Sequence, residues 1–329
     1  MIVATAPGRC GVLGNPTDMY GGSVISCSTV ERARCEITDS DTLLVSADNG
    51  ESREIKTRAD LEPEGDHLDL AKAVLKGMSV TPGTHRFHLR TSTRIPMQAG
   101  LAGSTALVAA VYGAVARRMG VMAHRHAQAE AIRRIEYEIM GVICGFQDQY
   151  MAIFGGVNYM DFRDKGSHLD PDFQPYATVE PLADLVPEKL PILLAHTGVK
   201  HHSGSVHKSV RQRWLENDPQ ARTGYERVQQ LARYGKTSLL TADWAKLADA
   251  MNENQQIQHD LGASGEACDA LIAVARANGA TAAKLAGAGQ GGTILALTFK
   301  PERTARALRE AGAESILTPA PSEGLTVTG

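Results

Sequence analysis

The stretch RIPMQAGLAGSTALVAAV, residues 94–111, decides how this chain is read. Its glycine turn, Gly100-Leu101-Ala102-Gly103, runs directly into Ser104-Thr105 and then into an apolar, alanine-rich run with helical spacing. The first backbone N–H groups of a helix have no intrahelical acceptor, so a helix opening on a glycine loop predicts an anion site. Ser104 and Thr105 add hydroxyls that can cap the helix, bond a phosphate or hold Mg2+. A plain serine cap is the alternative, and the glycines are what raise the phosphate reading beside it.

Upstream, residues 1–9, 23–37, 41–48 and 84–93 alternate or cluster apolar positions as strands do, which predicts an antiparallel or mixed sheet. Downstream, two alanine-rich helices are expected over 104–120 and 123–141, then a strand over 155–162 and a loop rich in Asp and Pro over 164–189. A strand at 190–198 opens a second half, with helices expected at 206–217, 243–261, 266–279 and 301–312 and strands at 281–287 and 293–299. The division is placed at 1–190 and 191–329.

Length and composition fit two domains: 329 residues, 43% of them hydrophobic, can bury a sizeable core. With 34 Lys and Arg against 37 Asp and Glu, the net charge is −3, so no basic field exists to hold a nucleic acid or an anionic membrane. Five cysteines without a CxxC pair fit neither a disulfide framework nor a zinc site, and a reducing, cytoplasmic location is expected. No signal-like segment opens the chain, and the longest nearly apolar run, 106–116, is too short for a membrane span. Glycine is over-used, and 15 of the 32 glycines fall within 44 residues, in the segments 8–22, 100–106, 141–156 and 287–292. That clustering points to backbone brought close to a ligand rather than to general loop flexibility.

Two other glycine patterns compete for the phosphate role. Gly235-Lys236-Thr237 lacks the earlier glycine of a nucleotide loop, having Gln230 in its place, and reads as a helix C-cap. Gly287-Ala288-Gly289-Gln290-Gly291-Gly292 satisfies a dinucleotide regex but leads into a strand rather than a helix, so it reads as a turn between strands that approaches a ligand or another loop. Elsewhere, Glu136 and Asp148 supply carboxylates that could hold Mg2+ and orient or deprotonate an attacking hydroxyl, with ordinary surface charge as the alternative. The segment PGRCGVLGNPTDMYGG, residues 7–22, carries Arg9, Asn15, Thr17 and Asp18 on a glycine-rich turn suited to a polyhydroxylated substrate, or to a plain hairpin loop.

In this order, PGRCGVLGNPTDMYGG, PMQAGLAGSTA and LAGAGQGG resemble the three motifs of the GHMP kinase family, the galacto-, homoserine, mevalonate and phosphomevalonate kinases. The resemblance implies a two-domain GHMP kinase fold, α/β and α+β: an N-terminal ribosomal S5 domain 2-like domain and a C-terminal ferredoxin-like domain, with ATP and substrate between them. It implies ATP-dependent phosphorylation of a hydroxyl. Asp148 would be the catalytic carboxylate, with Arg9 beside it stabilising the transferred phosphoryl, and Ser104 and Glu136 would bind Mg2+. Gly100, Leu101, Ala102, Gly103, Ser104 and Thr105, with Gly287 and Gly289, would hold ATP. Asn15, Thr17, Asp18, Gly156 and Arg211 would face the substrate.

Within the family, SGSVHKSVRQRWLENDP, residues 203–219, resembles the glucuronokinases, whereas residues 135–156 look more like the heptose 7-phosphate 1-kinases. Both substrates carry an anion remote from C1 and so require a cation there; Lys200, Lys208, Arg211 and Arg213 are candidates, or else form a solvated basic helix face. Galactokinases carry Glu-His where this chain has Asn15-Pro16, which argues against galactose. His201, His202 and His207 match no metal signature. The resulting expectation is an anomeric sugar kinase acting on glucuronate, with a heptose 7-phosphate as the second choice and a non-catalytic sugar and ATP sensor as the choice from another class. Its partners would be the small-molecule sugar and ATP, its state a monomer or homodimer.

Overall fold

The computed structural model describes residues 1–186, 189–199, 210–287, 289 and 292–329. Two sheets organise the chain. The first is built from β1 (Ile2–Leu13), β2 (Ser23–Thr38), β3 (Leu43–Ala47), β4 (Ser52–Glu54), β5 (Phe87–Thr93), β6 (Val157–Asp161), β7 (Thr178–Pro181) and the last strand, β12 (Thr326–Thr328). Its main path is β12-β1-β2-β5-β3-β4, with β6 and β7 added along β2. All its pairings are antiparallel except β3 with β5, so the sheet is mixed. The second sheet is antiparallel, in the order β11-β8-β10-β9, from β8 (Ile192–His196), β9 (Ala280–Leu285), β10 (Thr293–Thr298) and β11 (Ser315–Leu317).

Helices α1 (Asp69–Gly77), α2 (Gly103–Met119), α3 (Arg125–Arg134) and α4 (Gln147–Phe154) belong to the first half. The central one is α2, buried at 12 of its 17 positions. A helix that is apolar on nearly every side is stable only when covered on nearly every side, and α2 packs on β1, β2, α1 and α4. Helices α5 (Pro219–Leu240), α6 (Trp244–Asp260), α7 (Glu266–Ala277) and α8 (Pro301–Glu310) follow. Because α2 and α5 both pack against β2, its first seven residues are buried without alternation.

Several expectations change. The segment 7–22 is not one loop, since β1 continues to Leu13 and carries Arg9 on a strand. The loop expected over 164–189 includes the edge strand β7. Gly235-Lys236-Thr237 lies inside α5 rather than capping a helix: a Cβ at Gly235 would sit 2.2 Å from the Leu13 side chain, so this glycine lets helix and strand approach. Lys236 pairs with Glu180 rather than standing in solvent. Among the described residues, no helix is long and apolar enough to cross a membrane.

Backbone hydrogen bonds join the three glycine segments. Arg9 N–H donates to the Leu101 carbonyl (3.0 Å), and Gly11 N–H to that of Ala286 (2.8 Å). The Thr293 hydroxyl donates to the Ala99 carbonyl (2.8 Å). The turn between β9 and β10 therefore backs onto the loop preceding α2, and the N-terminal strand runs past both.

Candidate active site

Where these segments meet, a cavity of about 220 Å³ opens. Gln98, Gly100, Ala102, Gly103, Ser104 and Thr105 form one wall. The turn leaves regular geometry at Gln98 (φ 56°), Gly100 (φ 73°) and Ala102 (φ 57°), a left-handed conformation that glycine adopts without strain. The Ala106 N–H donates to the Ala102 carbonyl at the start of α2, so the N–H groups of Gly103, Ser104 and Thr105 before it are available to an anion. Ser104 is exposed, and its hydroxyl has no partner among the described residues. Leu101 points into the core at 1% exposure; its backbone, not its side chain, serves the loop by accepting from Arg9.

Opposite stands Asp148, in the first turn of α4. Arg9, reaching across from β1, places Nε at 2.8 Å and Nη2 at 2.7 Å from Asp148 Oδ1, and Nη1 at 2.6 Å from the Gly100 carbonyl. Both donors fall on Oδ1, so Oδ2 is left without a protein partner among the described residues. A single guanidinium thus fixes the carboxylate and the glycine loop together, which a lysine could not do.

Asp18 has a structural task beside its expected place at the substrate. Its Oδ2 accepts the N–H groups of Phe146 (2.8 Å) and Gln147 (3.0 Å), capping the helix that carries Asp148. A Cβ at Gly145 would lie 2.0 Å from that oxygen, so only glycine leaves room for the cap. Burial raises the Asp18 pKa to about 6 against the lowering effect of these two bonds. Asp18 also lines the cavity.

Glu136 lies in a π-helical turn, Ile135–Ile139, a feature frequent at functional sites. It is 3% exposed, takes the Thr105 hydroxyl on Oε1 at 2.7 Å and the Gln149 side-chain amide on Oε2. Burial drives its pKa up to about 7, and the neighbouring Asp148 charge adds to this. Among the described residues it makes no ion pair, and the Arg133 charge acts only weakly against the rise. Glu138 is exposed and does not line the cavity, so Glu136 is the carboxylate that the site contains. An oxygen donor set of Glu136 and the free Ser104 hydroxyl, with a buried negative charge lacking a counter-ion, fits Mg2+. Among the described residues, no cluster of three or more His, Cys, Asp or Glu is placed to hold a metal ion.

Other expected residues are placed differently. Asn15 lines the cavity, but its side chain is already engaged: Nδ2 donates to the Gly287 carbonyl (2.8 Å) and Oδ1 accepts from Lys284 (2.8 Å). Thr17 is fully buried, donates to the Gly14 carbonyl (2.7 Å) and does not line the cavity; its hydroxyl closes the turn. Gly156 is likewise outside, bonded through its backbone to Ser28 and Ser322. Gly287 lines the cavity, whereas Gly289 lies behind it, where a Cβ would meet the Ala263 carbonyl at 1.8 Å. Arg211 is also outside the lining; its charge opposes the rise that burial gives the Tyr20 pKa and adds to the lowering that burial gives His168, and its Nε is buried without a partner among the described residues. Arg213 is committed to Asp218, Gln220 and the Leu261 carbonyl. Lys200, Lys208, His201, His202 and His207 lie outside the described residues.

Sequence reading passed over the far wall, Met140, Val142, Ile143 and Cys144, and the buried Lys284. A second cavity of about 210 Å³, lined by Leu61, Pro63, Asp69, Ala73, Lys76, Ile139 and Met140, shares Met140 with the first.

Comparison with known proteins agrees with this geometry. Residues 69–156 match the GHMP kinases N terminal domain and residues 236–315 the GHMP kinases C terminal domain. Glucuronokinase 1 of Arabidopsis thaliana is 30% identical over 306 residues, covering 85% of this chain and 81% of that protein. The D-glycero-alpha-D-manno-heptose 7-phosphate kinase of Campylobacter jejuni is 25% identical over 299 residues, covering 87% and 86%. The crystal structure of the Methanococcus jannaschii mevalonate kinase superposes with a TM-score of 0.75 over 98% of each chain at 15% identity, a likeness of fold. The chain has the two-domain GHMP kinase fold and belongs to the GHMP kinase family of ATP-dependent phosphotransferases.

Proposed function

We propose that this protein is an Mg2+- and ATP-dependent sugar kinase that phosphorylates the anomeric hydroxyl of an anionic sugar, glucuronate. The observation that carries the reading is the Arg9 guanidinium bonded at once to Asp148 and to the glycine loop before α2, in a chain 30% identical to a glucuronokinase. We take 1–190 and 191–329 as its two units, the first completed by β12.

In this reading the N–H groups of Gly103, Ser104 and Thr105 bind the triphosphate. The second cavity, apolar apart from Asp69 and Lys76 and sharing Met140 with the first, takes the adenine. Ser104 and Glu136 would hold Mg2+, which supplies charge compensation to the phosphates when bound. Asp148 Oδ2, the oxygen Arg9 leaves free, faces the C1 hydroxyl and orients or accepts its proton. The hydroxyl oxygen then forms the new bond to the γ-phosphorus while the bond to the β–γ bridging oxygen breaks, and ADP leaves. Arg9 holds positive charge beside the transferring group. In-line transfer needs no covalent enzyme intermediate; positioning and preset charge supply the catalysis. The anionic end of the sugar requires a cation, and Arg211, with its buried and unpartnered Nε, is the candidate among the described residues.

A second reading, a heptose 7-phosphate 1-kinase, is favoured by the 25% identity to the Campylobacter jejuni enzyme over most of both chains. The two differ in their product. Incubation with Mg2+, ATP and glucuronate should give a sugar 1-phosphate, identified by the phosphorus–H1 coupling in its NMR spectrum. Phosphate on another oxygen, or product from the heptose phosphate alone, contradicts the glucuronate reading.

A further inference from the structure

Lys284, near the end of β9, is fully buried, and its ammonium contacts no carboxylate among the described residues. Nζ donates instead to three neutral acceptors: the Gly11 carbonyl (3.1 Å), Asn15 Oδ1 (2.8 Å) and the Leu285 carbonyl (2.5 Å). Burial without a counter-ion lowers the Lys284 pKa to about 7, and the three hydrogen bonds offset part of the cost of holding the amine there. One of those bonds goes to β1, one to the turn that follows it and one to the end of β9, the strand leading into the third glycine segment.

Asn15 passes the connection on. With Oδ1 held by Lys284, its Nδ2 is directed to the Gly287 carbonyl at 2.8 Å. Gly287 in turn presses on the phosphate-binding wall, since a Cβ there would sit 2.7 Å from the Gly100 carbonyl. A continuous chain of contacts therefore runs from Lys284 through Asn15 and Gly287 to Gly100, the residue whose carbonyl Arg9 also grips. Removing the ammonium frees Asn15 Oδ1 and loosens its hold on Gly287, while the Gly11–Ala286 and Thr293–Ala99 bonds still keep the strands on either side in place.

We propose that Lys284 is a positioning residue for the phosphoryl-transfer site, acting through Asn15 to hold the third glycine loop against the loop that cradles ATP. The proposal rests on the assignment of residues 100–105 to the triphosphate. A site already in place when the nucleotide arrives loses less entropy on binding, so the contribution falls on ATP rather than on the sugar.

Lys284→Met keeps the length and removes the donors. The expected result is a KM for ATP raised about tenfold with kcat lowered by a similar factor, and a KM for the sugar within about twofold of the starting value. Asn15→Asp serves as a second variant: it gives Lys284 a charged partner, so the fold keeps its buried ammonium, but it removes the donor to Gly287. It should reproduce the rise in KM for ATP, and the double variant should show less than the sum of the two effects. Either variant, folded by circular dichroism and with unchanged KM for ATP, overturns the proposal. If instead Ser104→Ala and the unaltered protein show no nucleotide binding at residues 100–105 by protection from hydrogen exchange, the underlying assignment has failed, an outcome distinct from the first.

Discussion

Replacing Glu136 with glutamine should make the ligand-free protein more stable at alkaline pH and leave it unchanged in acid. Glu136 is buried, and its pKa rises from an ordinary 4.5 to about 7. A carboxyl whose pKa is higher in the folded state favours folding while protonated. That contribution is complete below 4.5 and is lost as pH climbs through about 7. At ~1.36 kcal/mol per pH unit, the gap between 4.5 and about 7 amounts to roughly 3 kcal/mol. Glutamine fits because its own amide can meet Gln149 Oε1, a buried acceptor with no partner among the described residues, once the Gln149 amide turns over. Urea unfolding of both proteins without Mg2+ or nucleotide, at pH 4.5 and pH 8, measures the effect. The advantage of the glutamine variant should be near zero at the first pH and approach roughly 3 kcal/mol at the second. With Mg2+ and ATP present, the ranking should narrow or reverse, because ligand binding stabilises the protein that retains the carboxylate. An advantage of equal size at both pH values would refute the reasoning, since it would mean that Glu136 carries no excess charge cost.

Other outcomes follow from the same geometry. Asp148→Asn should lower kcat by about 10² to 10⁴, the range of a lost general base, with ATP affinity kept; a near-normal kcat removes Asp148 from the reaction. Gly145→Ala forces Asp18 off the start of α4, so it should cost about 1–2 kcal/mol of stability and lower kcat through Asp148, without raising the KM for ATP. Unchanged kcat in that variant would show that the Asp18 cap does not set the position of Asp148.

What was legible in the sequence was local. Gly100 demands a left-handed turn, and the apolar run after Ser104 demands a covered helix, so the loop and α2 could be read directly. The pairing of Thr105 with Glu136 spans 31 positions, and that of Arg9 with Asp148 spans 139; no spacing rule reaches so far. Thr17 and Gly156 were read by residue type, but the sequence does not tell whether a hydroxyl is spent on its own turn or a glycine on a strand crossing. Helix α5 is legible only as a helical stretch ending near Gly235; it runs on to Leu240 because its buried stripe continues through Gly235 and Ser238, weakly apolar members that the sequence does not mark. Nothing in the short strand at 281–287 singles out Lys284, whose burial comes from α6 and α7 both packing on β9.

The most direct test of the account is ADP release by the purified protein with Mg2+ and ATP against glucuronate, D-glycero-D-manno-heptose 7-phosphate, galactose and mevalonate in parallel. The account predicts turnover with glucuronate at a kcat/KM at least about 100-fold above each of the others, a discrimination of ~2.7 kcal/mol. Release with the heptose phosphate alone would transfer the protein to the second reading. Turnover with mevalonate, or with none of the sugars, would contradict the central claim.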